Sequence, residues 1–128
     1  MNINTLISVG EFFDKITILE IKKVKITDDN KLVNINYELK EMKKIEKAHK
    51  LENLKLSGLV QSLYEVNFEL WNIEDEIRLF EQSKNFGSKF IALARSVYIK
   101  NDLRAKIKKD INLKSGSNLI EEKSYQEY

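Results

Sequence analysis

The sequence contains no cysteine and no proline, and it has only one histidine, His49. Without cysteine, the chain can form neither disulfide bonds nor cysteine-based zinc sites. A single histidine also argues against His-rich metal sites and His-based catalytic triads. The four glycines are isolated from one another, so no glycine-rich phosphate loop is present. These absences exclude most of the common enzyme motifs.

Long hydrophobic runs are also missing. No stretch approaches the roughly 18 apolar residues that a membrane span needs, and the first residues lack the basic and apolar regions of a signal peptide. We therefore expect a cytoplasmic protein without a membrane span. The chain has 128 residues, of which 42% are hydrophobic and 33% charged, and this predicts one folded domain over residues 1–128.

With so few turn-forming residues, the chain consists of long segments with helical periodicity. Ser8 and Glu11 match a capping box, which predicts a first, most buried helix from Val9 to about Ile26. A turn over residues 27–30 caps a second helix that runs to about Lys47. We expect Ser57 to cap the third helix. That helix carries an apolar row with spacings of three and four residues: Leu59, Leu63, Val66, Leu70, Ile73, Ile77 and Phe80.

The fourth helix is predicted to begin at Ser88 as its N-cap and to end at Gly116. We expect an interruption at Asn101 and Asp102, because short polar side chains compete for backbone hydrogen bonds. The last residues, 119–128, show no period. The sequence therefore predicts an all-α antiparallel bundle of about four main helices, with a short C-terminal segment folded back on it.

Charge divides the second half of the chain. Residues 57–82 carry six acids and one base, whereas residues 83–114 carry nine bases and two acids. Either the charges of these two helices compensate each other across a hairpin, or the basic segment faces an anionic ligand or partner. The long apolar row also predicts a homodimer, because one small neighbour does not cover it. A formal net charge of +2 argues against nucleic-acid binding.

Arginine is rare, with three residues against nineteen lysines, which indicates positions where its planar fork matters. Arg78 has Glu74 four residues before it as an intrahelical partner, whereas Arg95 and Arg104 lack such a partner. Backbone N–H groups at the interrupted helix would add donors beside these two arginines and complete a phosphate or carboxylate site. In the alternative, the arginines hold the tail's own Glu121 and Glu122. The candidate ligand residues are Arg95, Tyr98, Asn101, Asp102, Arg104, Lys123 and Tyr125.

Two groups of carboxylates are candidates for a metal site. Glu11 and Asp14 lie three residues apart on the first helix, and Glu74 and Asp75 lie on the third. Carboxylates from facing helices hold Mg²⁺ or Mn²⁺ in helical bundles. Such a site would make the protein a metal-dependent nucleoside-phosphate or sugar-phosphate hydrolase. We otherwise expect no cofactor.

Several longer strings resemble an uncharacterised family of short helical proteins from bacteria. They are GEFFDKITILEIK from Gly10, NFELWNIEDEIR from Asn67, LARSVY from Leu93, NDLRA from Asn101 and EEKSY from Glu121. The resemblance implies a helical unit of this length and, because members are often found near glycosyltransferase genes, a role accessory to surface-polysaccharide assembly. The leading interpretation is therefore a binding or interaction module, with the hydrolase as the alternative and catalytic residues unassigned.

Overall fold

The computed structural model describes residues 1–128, and it is all-helical. Helix α1 spans Val9–Lys25 and α2 spans Asp29–Ala48. A single 3₁₀ turn, Leu51–Leu54, leads into α3 at Ser57–Gln82, and α4 spans Ser88–Ser115. The residues after α4, 117–128, form an extended segment that we call the tail. The predicted fold class, an antiparallel helical bundle with a folded-back end, is confirmed. None of the four helices has the length and apolar character needed to span a membrane.

Three of the predicted helix ends are confirmed. The Ser8 side chain accepts a hydrogen bond from the Glu11 N–H at 3.0 Å, and the Asp28 side chain accepts one from the Lys31 N–H at 2.9 Å. Gly116 ends α4 in the left-handed region, at φ 69°. The predicted caps at Ser57 and Ser88 are wrong by one position, because each serine is the first helical residue and the cap residues are Leu56 and Gly87.

The interruption predicted at Asn101 and Asp102 is also wrong, because α4 is continuous through both. Their side chains do not compete for the helix backbone. The Asn101 Oδ1 atom accepts from Arg104 Nη1 at 3.4 Å, and the Asp102 Oδ2 atom accepts from the Tyr128 hydroxyl at 2.6 Å. Side chains of α4 and the tail thus engage the two short polar side chains, and α4 offers no free N–H groups at this point.

Helix α1 lies at the centre and contacts the other three helices. Eight of its residues are buried, which confirms that it is the most buried helix. Gly10 makes the closest helix approach, since a Cβ at this position would lie 2.9 Å from Asn112 Oδ1 and still closer to the Lys108 carbonyl oxygen. The apolar core combines side chains from all four helices and residue 56: Phe12, Phe13, Ile16, Leu19, Ile35, Met42, Leu56, Leu63, Val66, Ile107 and Ile111.

Helices α3 and α4 form an antiparallel hairpin that extends beyond α1. At about 1.5 Å per residue, α3 and α4 are roughly 40 Å long, whereas α1 is roughly 25 Å long. Only Leu63 and Val66 of the predicted apolar row are fully buried. No residue from position 68 to position 106 is buried. We call this stretch the distal hairpin, and its apolar side chains remain partly exposed.

Candidate functional site

The Asp14 carboxylate is the centre of a buried charge network. Its side chain is 3% exposed. Its Oδ1 atom accepts hydrogen bonds from Asn67 Nδ2 and from Arg104 Nε, each at 2.9 Å. Its Oδ2 atom accepts from Arg104 Nη2 at 2.5 Å. Both carboxylate oxygens therefore face one guanidinium, which is the two-point pairing that fixes the orientation of an arginine.

Lys108 extends this network to the tail. Its side chain is 8% exposed, and its Nζ atom lies 2.7 Å from Glu11 Oε2, 3.0 Å from Glu121 Oε2 and 3.9 Å from Asp14 Oδ2. Thr17 adds a polar link, since its hydroxyl donates to the Asp14 carbonyl oxygen and accepts from the amide of Asn67. The network therefore joins α1, α3, α4 and the tail around two cations.

The electrostatics of the network keep its groups charged. Burial alone raises the pKa of Asp14, but hydrogen bonds from Arg104 and Asn67 and the nearby positive charges outweigh it, so the pKa lies below its ordinary value. Burial lowers the pKa of Lys108, but its two glutamate partners raise it by more, so the pKa lies above its ordinary value. The hydrogen bond from Lys108 lowers the pKa of Glu121.

Beside Arg104 lies a cavity of about 500 Å³, which we call the central cleft. It opens where α1 diverges from the α3–α4 hairpin. Apolar side chains and the half-buried Trp71 form part of its wall, and amides, acids and two arginines form the rest. Its lining residues are Ile18, Ile21, Asn67, Leu70, Trp71, Glu74, Asp75, Arg78, Asn101 and Arg104.

The polar groups of the cleft come from α3 and α4. From α4, Arg104 presents Nη1, whose single protein contact is the 3.4 Å bond to Asn101, so donors remain available on this wall. From α3, Glu74 and Asp75 present acceptors, although Glu74 also pairs with Arg78. An aromatic ring in the same cavity as donors and acceptors is typical of a site for a polar molecule with an apolar face.

The tail lies along α4 and forms a second cavity of about 570 Å³, the tail groove. Five of the predicted ligand residues, Tyr98, Asn101, Asp102, Lys123 and Tyr125, line it together. The ring of Tyr128 packs edge-on against Tyr98, at 5.1 Å between centroids. Asn101 lines both the tail groove and the central cleft.

The predicted roles of the two arginines need correction. Arg104 does not hold the acids of the tail, because its guanidinium is turned inward to Asp14. Lysines take that role instead, with Lys108 bound to Glu121 and Lys109 to Glu122 at 3.5 Å. Arg95 is exposed, has no ion-pair partner within the chain and lines neither cavity.

The candidate metal ligands occupy two different settings. Glu11 and Asp14 are bound to Lys108 and Arg104, while Glu74 and Asp75 lie on the rim of the central cleft. No group of three or more His, Asp or Glu side chains is arranged to hold a metal ion. The acidic and basic helices share one ion pair, between Glu69 and Lys100, so their opposite charges are only partly compensated within the hairpin.

Sequence reasoning missed three polar residues of the buried region, Asn67, Lys108 and Asn112. Each is followed or preceded by a core residue, at Val66, Ile107 and Ile111. The sequence signal for such residues is a polar side chain at a position next to the apolar, core-facing row of a helix. Such a side chain is buried and needs a hydrogen-bond partner. The identity of that partner is not readable from helical periodicity.

The fold and the site together define a small helical bundle with a polar cleft and a docked tail. The chain belongs to the family of unknown function DUF6165, whose family model matches residues 3–128. Comparison with curated proteins and with solved structures gives no significant match. Membership of a family of unknown function, which the sequence resemblance predicts, is thus confirmed. The family gives no activity, so the function is inferred from the geometry of the site.

Proposed function

We propose that this protein is a non-catalytic binding module, and that the central cleft holds a small molecule with a phosphate or carboxylate group. The observation that carries this proposal is the two-point bond between Asp14 and Arg104. It fixes the guanidinium before a ligand arrives, so binding need not pay the entropy of ordering that side chain. The Nη1 group of Arg104 and the amide of Asn101 then receive the anion.

The rest of the cleft favours a ligand that has a hydroxylated ring. Trp71 offers a flat apolar surface, and Glu74 and Asp75, one turn further along α3, offer acceptors for hydroxyl groups. Sugar phosphates and nucleotide sugars combine these features. They also agree with the accessory role in surface-polysaccharide assembly that the family resemblance implies, which we propose on that ground.

A thermal-shift series tests the cleft. We expect at least one of a set of phosphorylated sugars, nucleotide sugars and nucleotides to raise the melting temperature. At 100 times the Kd the stabilisation is about 2.7 kcal/mol, or several degrees for a chain of this size. Trp71→Ala should lose that response, whereas Phe86→Ala, which removes an exposed ring at the tip of the hairpin, should keep it. A wild-type protein that responds to none of these compounds contradicts the proposal.

The hydrolase alternative predicts a different response in the same assay. If Glu11, Asp14, Glu74 and Asp75 bound Mg²⁺ or Mn²⁺, millimolar metal would stabilise the fold. We expect no shift with either ion, because Asp14 already accepts from Arg104 and Asn67 and Glu11 is bound to Lys108. A saturable rise in melting temperature with Mg²⁺, absent with Na⁺ at equal ionic strength, would support the hydrolase instead.

We further propose that the chain forms a homodimer through the distal hairpin. Its outer apolar residues include Leu79, Ile91 and Ile99, which are 63%, 55% and 45% exposed. Between the two isoleucines on α4 lies Arg95, which has no ion partner in its own chain. A second copy related by two-fold symmetry would cover these exposed apolar side chains and place Arg95 at the interface.

Light scattering on a sizing column tests the dimer. The 15.0 kDa chain is expected to elute with a mass of about 30 kDa. The double variant Ile91→Glu/Ile99→Glu should be monomeric, because two carboxylates would be buried at the interface. Val33→Glu, which changes a more exposed apolar residue on α2, should remain dimeric. A wild-type mass of one chain at high micromolar concentration contradicts the dimer.

A further inference from the structure

A third cavity, of about 230 Å³, lies between the last turns of α4 and the tail. We call it the lysine pocket. It contains four lysines against two glutamates, so its formal charge is positive even with the tail in place. Its lining residues are Ala105, Lys106, Lys108, Lys109, Asn112, Glu121, Glu122 and Lys123.

Asn112 provides the most specific feature of this pocket. The residue is 1% exposed, and its Oδ1 atom accepts a hydrogen bond from the Gly10 N–H at 2.6 Å. Its Nδ2 group donates to no protein atom, although Asn112 belongs to the wall of the cavity. The Nδ2 donor is accessible from the cavity, so it can donate to a group that enters from outside the chain.

The lysines also have unused donors. Lys108 is engaged by Glu11 and Glu121, but Lys109 lies 3.5 Å from Glu122 and Lys123 lies 3.8 Å from Glu121, which are long ion pairs. Lys106 has no ion partner in the chain. The donors of this pocket therefore exceed the acceptors that the tail supplies, and the excess is cationic.

We propose that the lysine pocket binds a tetrahedral oxyanion, either free phosphate or the phosphate group of a monoester. The Nδ2 group of Asn112 and the ammonium groups of Lys106, Lys109 and Lys123 are its donors. A cavity of 230 Å³ admits one phosphate group and leaves no room for a whole nucleotide. This site is separate from the central cleft, and its occupant bridges α4 and the tail.

Isothermal titration with inorganic phosphate, at an ionic strength matched with chloride, tests the pocket. We expect saturable binding of one phosphate per chain. Lys106→Gln/Lys109→Gln should raise the Kd for phosphate by about tenfold or more. The matched control Lys40→Gln/Lys47→Gln removes two exposed lysines from α2 and should leave the Kd unchanged. A parallel titration with glucose 6-phosphate distinguishes the two sources, since an open pocket accepts the ester and a closed one accepts only free phosphate.

Asn112→Asp provides the sharper variant. Aspartate keeps the Oδ1 acceptor for the Gly10 N–H but replaces the free donor with a second acceptor, so phosphate binding should be lost while the folded state is retained by circular dichroism. Trp71→Ala, in the central cleft, should bind phosphate like the wild type. Absence of saturable phosphate binding to the wild type, unchanged binding to Asn112→Asp, or loss of binding in Trp71→Ala would each overturn the proposal.

Discussion

Asp14→Asn is expected to lower the free energy of unfolding by about 3 kcal/mol, the lower end of the range for breaking a buried ion pair. The amide keeps the size of the side chain and removes its charge, which leaves the Arg104 guanidinium without its anion. The loss is at the lower end because the Arg104 side chain is 28% exposed and regains some hydration. Urea denaturation measures this change. Asp75→Asn, an exposed change of the same chemistry, should stay within about 0.5 kcal/mol of the wild type.

The same carboxylate predicts how stability depends on pH. The pKa of Asp14 is lower in the folded chain than its ordinary value near 3.8, so the unfolded state binds the proton more readily. The contribution of Asp14 to stability is therefore fully present above the ordinary pKa and is lost as the pH falls through the folded one. Melting temperatures of the wild type and Asp14→Asn should converge below pH 4. A difference that persists undiminished at the lowest pH would show that the charge of Asp14 is not what stabilises the fold.

Gly10→Ala is expected to destabilise the protein by about 2 kcal/mol, although alanine is the better helix former. The added methyl group would collide with the Lys108 carbonyl, and that atom belongs to helix backbone and cannot rotate away. Relief requires α1 and α4 to separate, which weakens the bond between the Gly10 N–H and Asn112 as well. The close approach of these two helices therefore depends on the missing side chain.

Gly58→Ala is the matched control for this prediction. A Cβ at position 58 meets no atom within 4 Å. Alanine should therefore leave the free energy of unfolding unchanged or raise it by up to about 1 kcal/mol. The two glycine variants are thus expected to differ in sign. Equal effects of the two substitutions would contradict the interpretation of Gly10 as a packing residue.

The helices themselves could be predicted because their signals are local. Periodic apolar residues, the side-chain caps at Ser8 and Asp28 and the left-handed Gly116 all act within a few positions of the chain. The predicted interruption at Asn101 was wrong for the opposite reason. The Asp102 side chain accepts from Tyr128, a partner 26 positions away that no local rule includes, whereas Asn101 accepts from Arg104 within α4.

The candidate site could be predicted only in part. The scarcity of arginine singled out Arg104 correctly as a residue with a specific geometric role, but its partner is Asp14, 90 positions away. Asp14 in turn matched a metal ligand by spacing, because a carboxylate on a helix looks the same whether it faces a cation or a guanidinium. The rotation of each helix about its axis decides between them, and that rotation follows from core packing, which one sequence does not specify.

The charge network has a consequence for synthesis of the chain. Arg104 is synthesised 90 positions after Asp14, and Lys108 and Glu121 follow later still. Until they emerge, the Asp14 carboxylate has no cationic partner, and α1 cannot be buried at low cost. The bundle therefore completes its core only after α4 has left the ribosome, and a nascent chain that stops before α4 would expose the apolar face of α1 to chaperones and proteases.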